Sequence, residues 1–230
     1  MAKFEFIKNE IEGLVVIKPT VFGDDRGFFM ETFHKEEFAA AGITREFVQD
    51  NHSKSSKGVL RGLHFQKEFP QGKLVRVVKG SVFDVAVDLR KDSPTYKQHY
   101  IIHLSGENQK QFLIPRGFAH GFVVLSETAL FSYKCDNVYN KESEGAINPF
   151  DEELNINWEV NKEDVEIIEQ KTEKQHEEQI VENSKEELTN NSYYKTLYNV
   201  LSKDNLIKVF YVLKQILCLL NFRYKTLCIK

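Results

Sequence analysis

The 230-residue chain has no His-x-His pair, no glycine-rich phosphate loop, only three cysteines and a formal net charge of just −3. Each shortage closes a class of function. A metal held in a β-barrel commonly takes two histidines at i, i+2 on one strand, so no metal is expected here. His99 and His103, at i, i+4, would share a helix face, but they lie in a strand-like stretch. Neither Gly-x-Gly-x-x-Gly nor the P-loop pattern occurs, so a dinucleotide fold has no support and any anion must be held by side chains. Cys135, Cys218 and Cys228 form no CxxC pair and no even-numbered framework, and read as free thiols of a reducing compartment. Acidic residues interrupt the N-terminal residues before an apolar run can build, which argues against a secretory signal and for a cytoplasmic protein. The charge balance gives no footing for nucleic-acid binding.

Glycine and proline are themselves absent from the last third. All twelve glycines lie at or before Gly145, and all five prolines at or before Pro149. Because these residues punctuate turns, the chain divides into a turn-rich part and a turn-poor part. Residues 1–160 read as one domain. Residues 161–190 carry a net −6 and read as a charged helical or disordered linker, and residues 191–230 carry a net +6. In that last segment Leu197, Leu201, Leu206, Phe210, Leu213, Leu217 and Leu220 recur at mostly three- to five-residue spacing, predicting an amphipathic helical tail. Lys208 and Lys214 interrupt it, and a membrane span needs about 20 nearly unbroken apolar residues, so a packed helix is favoured over membrane contact.

The first part reads as mainly β. Residues 14–18 form a β-branched run ended by Pro19, and further runs occupy residues 100–104, 111–114, 121–125 and 129–135. Lys79-Gly80 separates two more runs with the signal of a hairpin turn. In the second of these, Phe83, Val85, Val87 and Leu89 alternate with Val82, Asp84, Ala86 and Asp88, putting both carboxylates on one face. Only residues 36–41 look helical, with Gly42 as the stop. Many short strands between turns predict an antiparallel sandwich, jelly roll or small barrel.

The densest chemistry lies in residues 58–73, where Arg61 and His64 stand three apart in an apolar run that breaks at Pro70 and Gly72 before Lys73. A fixed cation, a base-range imidazole and a mobile cation together can bind an anion and move a proton beside it. Taken singly, each residue has a plainer explanation. Arg26, Arg61 and Lys73 are ordinary surface cations, His64 and His120 are satisfied core histidines, and Tyr133 and Tyr139 pack around a turn at Asp136-Asn137.

Seven segments in order outweigh those single readings: Phe22-Gly-Asp-Asp-Arg-Gly-Phe-Phe-Met-Glu31, Phe47-Val-Gln-Asp-Asn-His52, Val59-Leu-Arg-Gly-Leu-His-Phe-Gln66, Gln71-Gly-Lys-Leu-Val-Arg76, Phe83-Asp-Val-Ala-Val-Asp-Leu-Arg90, Ile114-Pro-Arg-Gly-Phe-Ala-His-Gly-Phe122 and Ser143-Glu-Gly145. Over about residues 4–160 the chain closely resembles the dTDP-4-dehydrorhamnose 3,5-epimerase family. The resemblance implies a metal-free, homodimeric, cupin-like jelly roll, that is, a double-stranded β-helix barrel, needing no cofactor. It implies epimerisation at C3 and C5 of a dTDP-linked 4-keto-6-deoxy sugar, in dTDP-rhamnose biosynthesis. By matched position His64 is the base, Tyr133 the acid, and Lys73 the cation near the ketone oxygen. Arg61 and His120 join them near the sugar. Arg26, Glu31, Gln49, Asn51, Glu144 and Lys171 match binding positions, and Tyr139 matches the residue stacked on thymine.

One position departs. The family orients its histidine with a late aspartate, and the alignment puts Thr172 there. Glu169, Glu173 or an inward Asp84 could supply the missing carboxylate, or activity is reduced. The alternatives left open are an epimerase acting at one carbon, a ketoisomerase on the same substrate class, and a sugar-nucleotide binder with impaired catalysis.

Overall fold

A computed structural model describes residues 3–168. The chain begins with β1 (Phe4–Lys8), β2 (Val15–Pro19), a hairpin of β3 (Val21–Asp24) and β4 (Gly27–Met30), and α1 (Lys35–Ala40). It continues through β5 (Gln49–Ser56), β6 (Val59–Gln66), β7 (Lys73–Lys79), β8 (Ser81–Asp88), β9 (His99–Ser105), β10 (Gln111–Ile114), β11 (Phe118–Val124) and β12 (Thr128–Cys135). β13 (Glu144–Ala146) and β14 (Glu166–Ile168) follow.

Two sheets result. One runs β1-β2-β10-β7-β12-β5, and the other β13-β6-β11-β8-β9, with β14 also pairing β6. From β5 to β12 the chain repeatedly crosses between them, which is the jelly-roll barrel expected of the sequence. The crossings correct one local expectation. Lys79-Gly80 does not close a hairpin, because β7 and β8 belong to opposite sheets. Gly80 has φ +82°, and a Cβ there would lie 2.1 Å from the Thr128 carbonyl oxygen, so the position demands glycine whichever way the next strand turns.

Strand alternation fills the interior. Val75, Val77, Val82, Ala86, Phe112, Phe122 and Phe131 pack between the sheets in one cluster. The Phe122 and Phe131 rings stack at 4.1 Å. On β8 the alternate residues Val85 and Val87 point outward, where Leu154 and Trp158 cover them. The Trp158 indole nitrogen donates to the Pro149 carbonyl at 2.8 Å, so its buried polar atom is satisfied. α1 seals the outer face of the first sheet through Phe38, which packs with Phe4, Ile17 and Leu74. The helix is set by a His34 cap accepting from the Glu37 amide and ends at Ala41, followed by Gly42 at φ +89°.

β14 runs parallel to β6, Ile167 opposite Leu60, so the charged stretch that starts at residue 161 opens with a strand of the barrel. The expected helical tail lies outside the described residues, as do Lys171 and Thr172. No helix among the described residues is long and apolar enough to cross a membrane.

Candidate active site

Strict alternation cannot put Arg61 and His64, three residues apart, on one face of a strand. β6 breaks the rule where it meets β11. Its register shifts between the His120 and Phe122 rungs. Two glycines permit this. A Cβ on Gly62, at φ +124°, would sit 2.4 Å from the Gly121 Cα, and one on Gly121 would sit 2.7 Å from the Arg61 carbonyl oxygen. Arg61 then reaches across the interior, its Nε donating to Ser55 Oγ at 2.9 Å. His64 comes into electrostatic contact with Lys73, His120 and Arg61.

Lys73 is the first residue of β7 and shares the parity of the inward Val75 and Val77. Its rung partner on β12 is Cys135, two residues beyond Tyr133. Tyr133 packs on the apolar interior with its ring 6.1 Å from that of Phe131. One end of the barrel interior is therefore polar, with His64 and His120 on one sheet facing Lys73 and Tyr133 on the other.

Burial governs the electrostatics here. It pushes the His64 imidazole down to about 4, with Lys73, His120 and Arg61 adding to the effect. It also lowers the Lys73 ammonium below the usual lysine range, against the opposing pull of Cys135, Asp84 and Glu144. The Tyr133 phenol is raised by burial, and the Cys135 thiol is pushed up to about 11 by the same cause. A neutral imidazole near neutral pH can accept a proton, a neutral phenol can donate one, and a half-buried ammonium can steady an anion between them.

His120 stands opposite His64 in the ladder. Its Nε2 lies 2.9 and 3.1 Å from the two carboxylate oxygens of the fully buried Asp84. The inward face of Asp84 is as alternation predicts, but its carboxylate bonds to His120 and not to His64. Asp88, expected on the same face, is held instead by Arg90, Ser93 and Thr95 at 2.7–3.0 Å.

The mouth is assembled from β5, β13 and the loop after β12. The Gln49 side chain accepts from the Tyr139 amide at 2.9 Å and donates to Asn51 at 3.1 Å. The Tyr139 hydroxyl donates to Glu144 at 2.8 Å, and burial together with that carboxylate pushes the phenol up to about 12. Two expected residues stand apart. Arg26, at the tip of the β3–β4 hairpin, pairs with Asp24 at 2.7 Å, and Glu31 pairs with Lys3 at 2.7 Å. That hairpin joins neither barrel sheet. Among the described residues no group of three or more His, Cys, Asp or Glu side chains is arranged to hold a metal.

Two features escape sequence reasoning. β5, Gln-Asp-Asn-His-Ser-Lys-Ser-Ser, has no apolar residue to mark it as a strand. Asp136 is no solvent-exposed turn residue: its side chain is 1% exposed and accepts from Gly72, Arg45 and Arg116. The only local signal for either is the density of polar residues among strands.

Known proteins are similar to this chain in sequence and fold. The dTDP-4-dehydrorhamnose 3,5-epimerase family matches residues 8–178. A dTDP-4-dehydrorhamnose 3,5-epimerase of Shigella flexneri is 57% identical over 156 residues, 67% of this chain and 86% of that protein. One from Methanothermobacter thermautotrophicus is 50% identical over 171 residues, 74% of this chain and 92% of the other. The crystal structure of a dTDP-6-deoxy-D-glucose-3,5-epimerase from Legionella pneumophila, in complex with dTDP-4-keto-L-rhamnose, superposes with a TM-score of 0.70 at 51% identity. The match covers 72% of this chain and 88% of that one.

Proposed function

The chain belongs to the dTDP-4-dehydrorhamnose 3,5-epimerase family, and from this and the polar end of its barrel we propose that it inverts C3 and C5 of a dTDP-linked 4-keto-6-deoxy hexose. Hydrogens next to the C4 ketone are acidic because the electron pair left behind delocalises onto the ketone oxygen. Inversion needs a base on one face of the sugar and an acid on the other. The observation that carries the reading is that such a pair lies on opposing walls: His64 on one sheet, Tyr133 on the other.

In this reading neutral His64 takes the carbon-bound proton. Charge builds on the C4 oxygen, where half-buried Lys73 stabilises the enolate. The Tyr133 hydroxyl then protonates the opposite face; His64 gives up its proton to water, the Tyr133 phenolate regains one from water, and the same steps follow at the second carbon. Arg61 and His120 hold the sugar, Tyr139 stacks on the thymine, and Gln49, Asn51 and Glu144 bind the nucleotide side. By the resemblance in sequence, Lys171 joins these binding residues in the proposal. Incubation with the 4-keto-6-deoxyglucose nucleotide in D2O tests this directly. Deuterium is expected at both C3 and C5. Incorporation at one carbon only would make the protein a monoepimerase, and none would leave only binding.

The active form is a homodimer. Phe22, Phe28 and Phe29 are 53, 60 and 65% exposed on the β3–β4 hairpin. An isolated two-stranded hairpin is marginal in water, and an aromatic patch of this kind marks an interface. A second copy covering the hairpin would bring Arg26 to a site its own chain leaves without it. Phe28→Asp with Phe29→Asp is expected to halve the mass in sedimentation and to lower kcat together. A double variant that stays dimeric would sink the assignment.

A further inference from the structure

We propose that Asp136 is a positioning residue that sets the place of Lys73, an inference resting on the role given to Lys73 above. One buried carboxylate ties together four segments that enter or leave the polar end. Oδ1 accepts from the Gly72 amide at 2.6 Å, immediately before Lys73. The Asp136 amide returns a bond to the Gly72 carbonyl at 3.0 Å, which extends the β7–β12 ladder one rung past the Lys73–Cys135 pair. Arg116, in the turn leading to His120 on β11, donates from Nε to both carboxylate oxygens at 3.0 and 3.1 Å. It also donates from a terminal nitrogen to the Asp136 carbonyl at 3.0 Å. Arg45, in the connection before β5, donates to Oδ2 at 3.1 Å.

Lys73 itself has no hydrogen bond among the described residues that would fix its ammonium, so its position depends on where its backbone is held. That makes the rung at Gly72 decisive. Gly72 is also fitted to the carboxylate: a Cβ there would lie 2.8 Å from Asp136 Oδ2 and 3.1 Å from its Cγ. Asp136 touches no expected substrate atom and acts through the backbone. A displacement of about 1 Å at a catalytic group can cost about a hundredfold in rate.

Gly72→Ala tests the inference without removing any charge or hydrogen-bonding group. The expected result is a fall in kcat of about ten- to a hundredfold with the dissociation constant for dTDP within about twofold of wild type. Because the added methyl acts against Asp136, Gly72→Ala with Asp136→Ala should have the kcat of Asp136→Ala alone rather than the product of both losses. Should Gly72→Ala not fold, Asp136→Asn keeps an oxygen for the Gly72 amide and should retain more kcat than Asp136→Ala. Unchanged kcat, a parallel loss of kcat and dTDP binding, or additive losses in the double variant would each overturn the proposal. Lys73→Met separates the layers: wild-type kcat there overturns the role of Lys73 and this inference with it. A large loss there with none in Gly72→Ala overturns only the clamp.

Discussion

His64 and His120 are rung partners on adjacent strands, yet their surroundings are opposite. His120 is buried with a carboxylate against its Nε2, whereas His64 has cations on several sides and no hydrogen bond from a described side chain. A carboxylate beside imidazole fixes its tautomer and favours imidazolium. Cations and burial keep imidazole neutral. The pair teaches that the fold sets Asp84 against the histidine that holds its place, and leaves uncharged the one proposed to take up a proton.

The largest effect expected from breaking this contrast is at His64. His64→Ala should lower kcat by about a thousandfold, the upper part of the range for a general base, while dTDP affinity stays within about twofold. Its thermal midpoint at neutral pH should barely move, since no side-chain hydrogen bond to a described residue is lost. Deuterium wash-in at C3 and C5 provides the check, and substantial remaining exchange would remove His64 from the role of base.

Asp84→Ala should behave in the reverse sense. Removing one partner of a buried hydrogen-bonded pair leaves the other polar group unsatisfied, at a cost of about 1–3 kcal/mol. Urea unfolding of the two alanine variants side by side measures the difference. Equal stabilities would mean that the Asp84–His120 pair contributes nothing His64 lacks.

Why the surroundings of one histidine are partly legible in the sequence and those of the other are not is a matter of distance along the chain. Alternation from Val82 to Asp88 is local, so the inward aspartate can be read from the residues themselves. Its choice of His120 cannot, because that depends on how β11 registers against β8. The shared face of Arg61 and His64 is hidden for a similar reason: it needs Gly62 to meet Gly121 across strands. β5 is illegible because its inner face lines the polar interior, so Gln49, Asn51, Ser53 and Ser55 replace the apolar residues that mark other strands. Its site residues are visible only through family resemblance. Lys79-Gly80 carries a hairpin's turn residues, but only the packing of both strand faces determines that the chain crosses to the other sheet.

A third effect follows from the low His64 pKa. In the native state it is about 4, against about 6.5 in an unfolded chain. Above pH 6.5 both states are neutral and the group contributes nothing. As pH falls from 6.5 towards 4, the unfolded chain binds a proton that the native state does not, so stability is lost. The loss is about 2 kcal/mol by pH 5, less whatever solvent screens. His64→Ala should abolish that part of the slope, making the variant gain on the wild type between pH 7 and pH 5 in urea midpoints. The acidic limb of kcat/KM should likewise fall near pH 4 instead of 6.5. A limb near 6.5, with no gain in the variant, would show an ordinary solvated imidazole.

The smallest effect is the most pointed, because it tests whether His64 can be given a carboxylate like that of His120. β14 runs parallel to β6, from Val59 towards His64, and Thr172 comes four residues after the end of β14 in the chain, where the resemblance leads one to expect an aspartate. Threonine can accept a hydrogen bond but cannot balance the charge of an imidazolium. Thr172→Asp should therefore raise kcat by about tenfold, equivalent to ~1.4 kcal/mol of stabilisation of protonated His64 in the transition state. It should also move the acidic limb of kcat/KM upward from about 4, because a nearby carboxylate favours the charged imidazole. The two readouts must move together. A higher limb without faster turnover would mean that proton abstraction does not limit the rate. If neither moves, the aspartate does not act on His64, and the asymmetry between the two histidines is how this protein works rather than something it has lost.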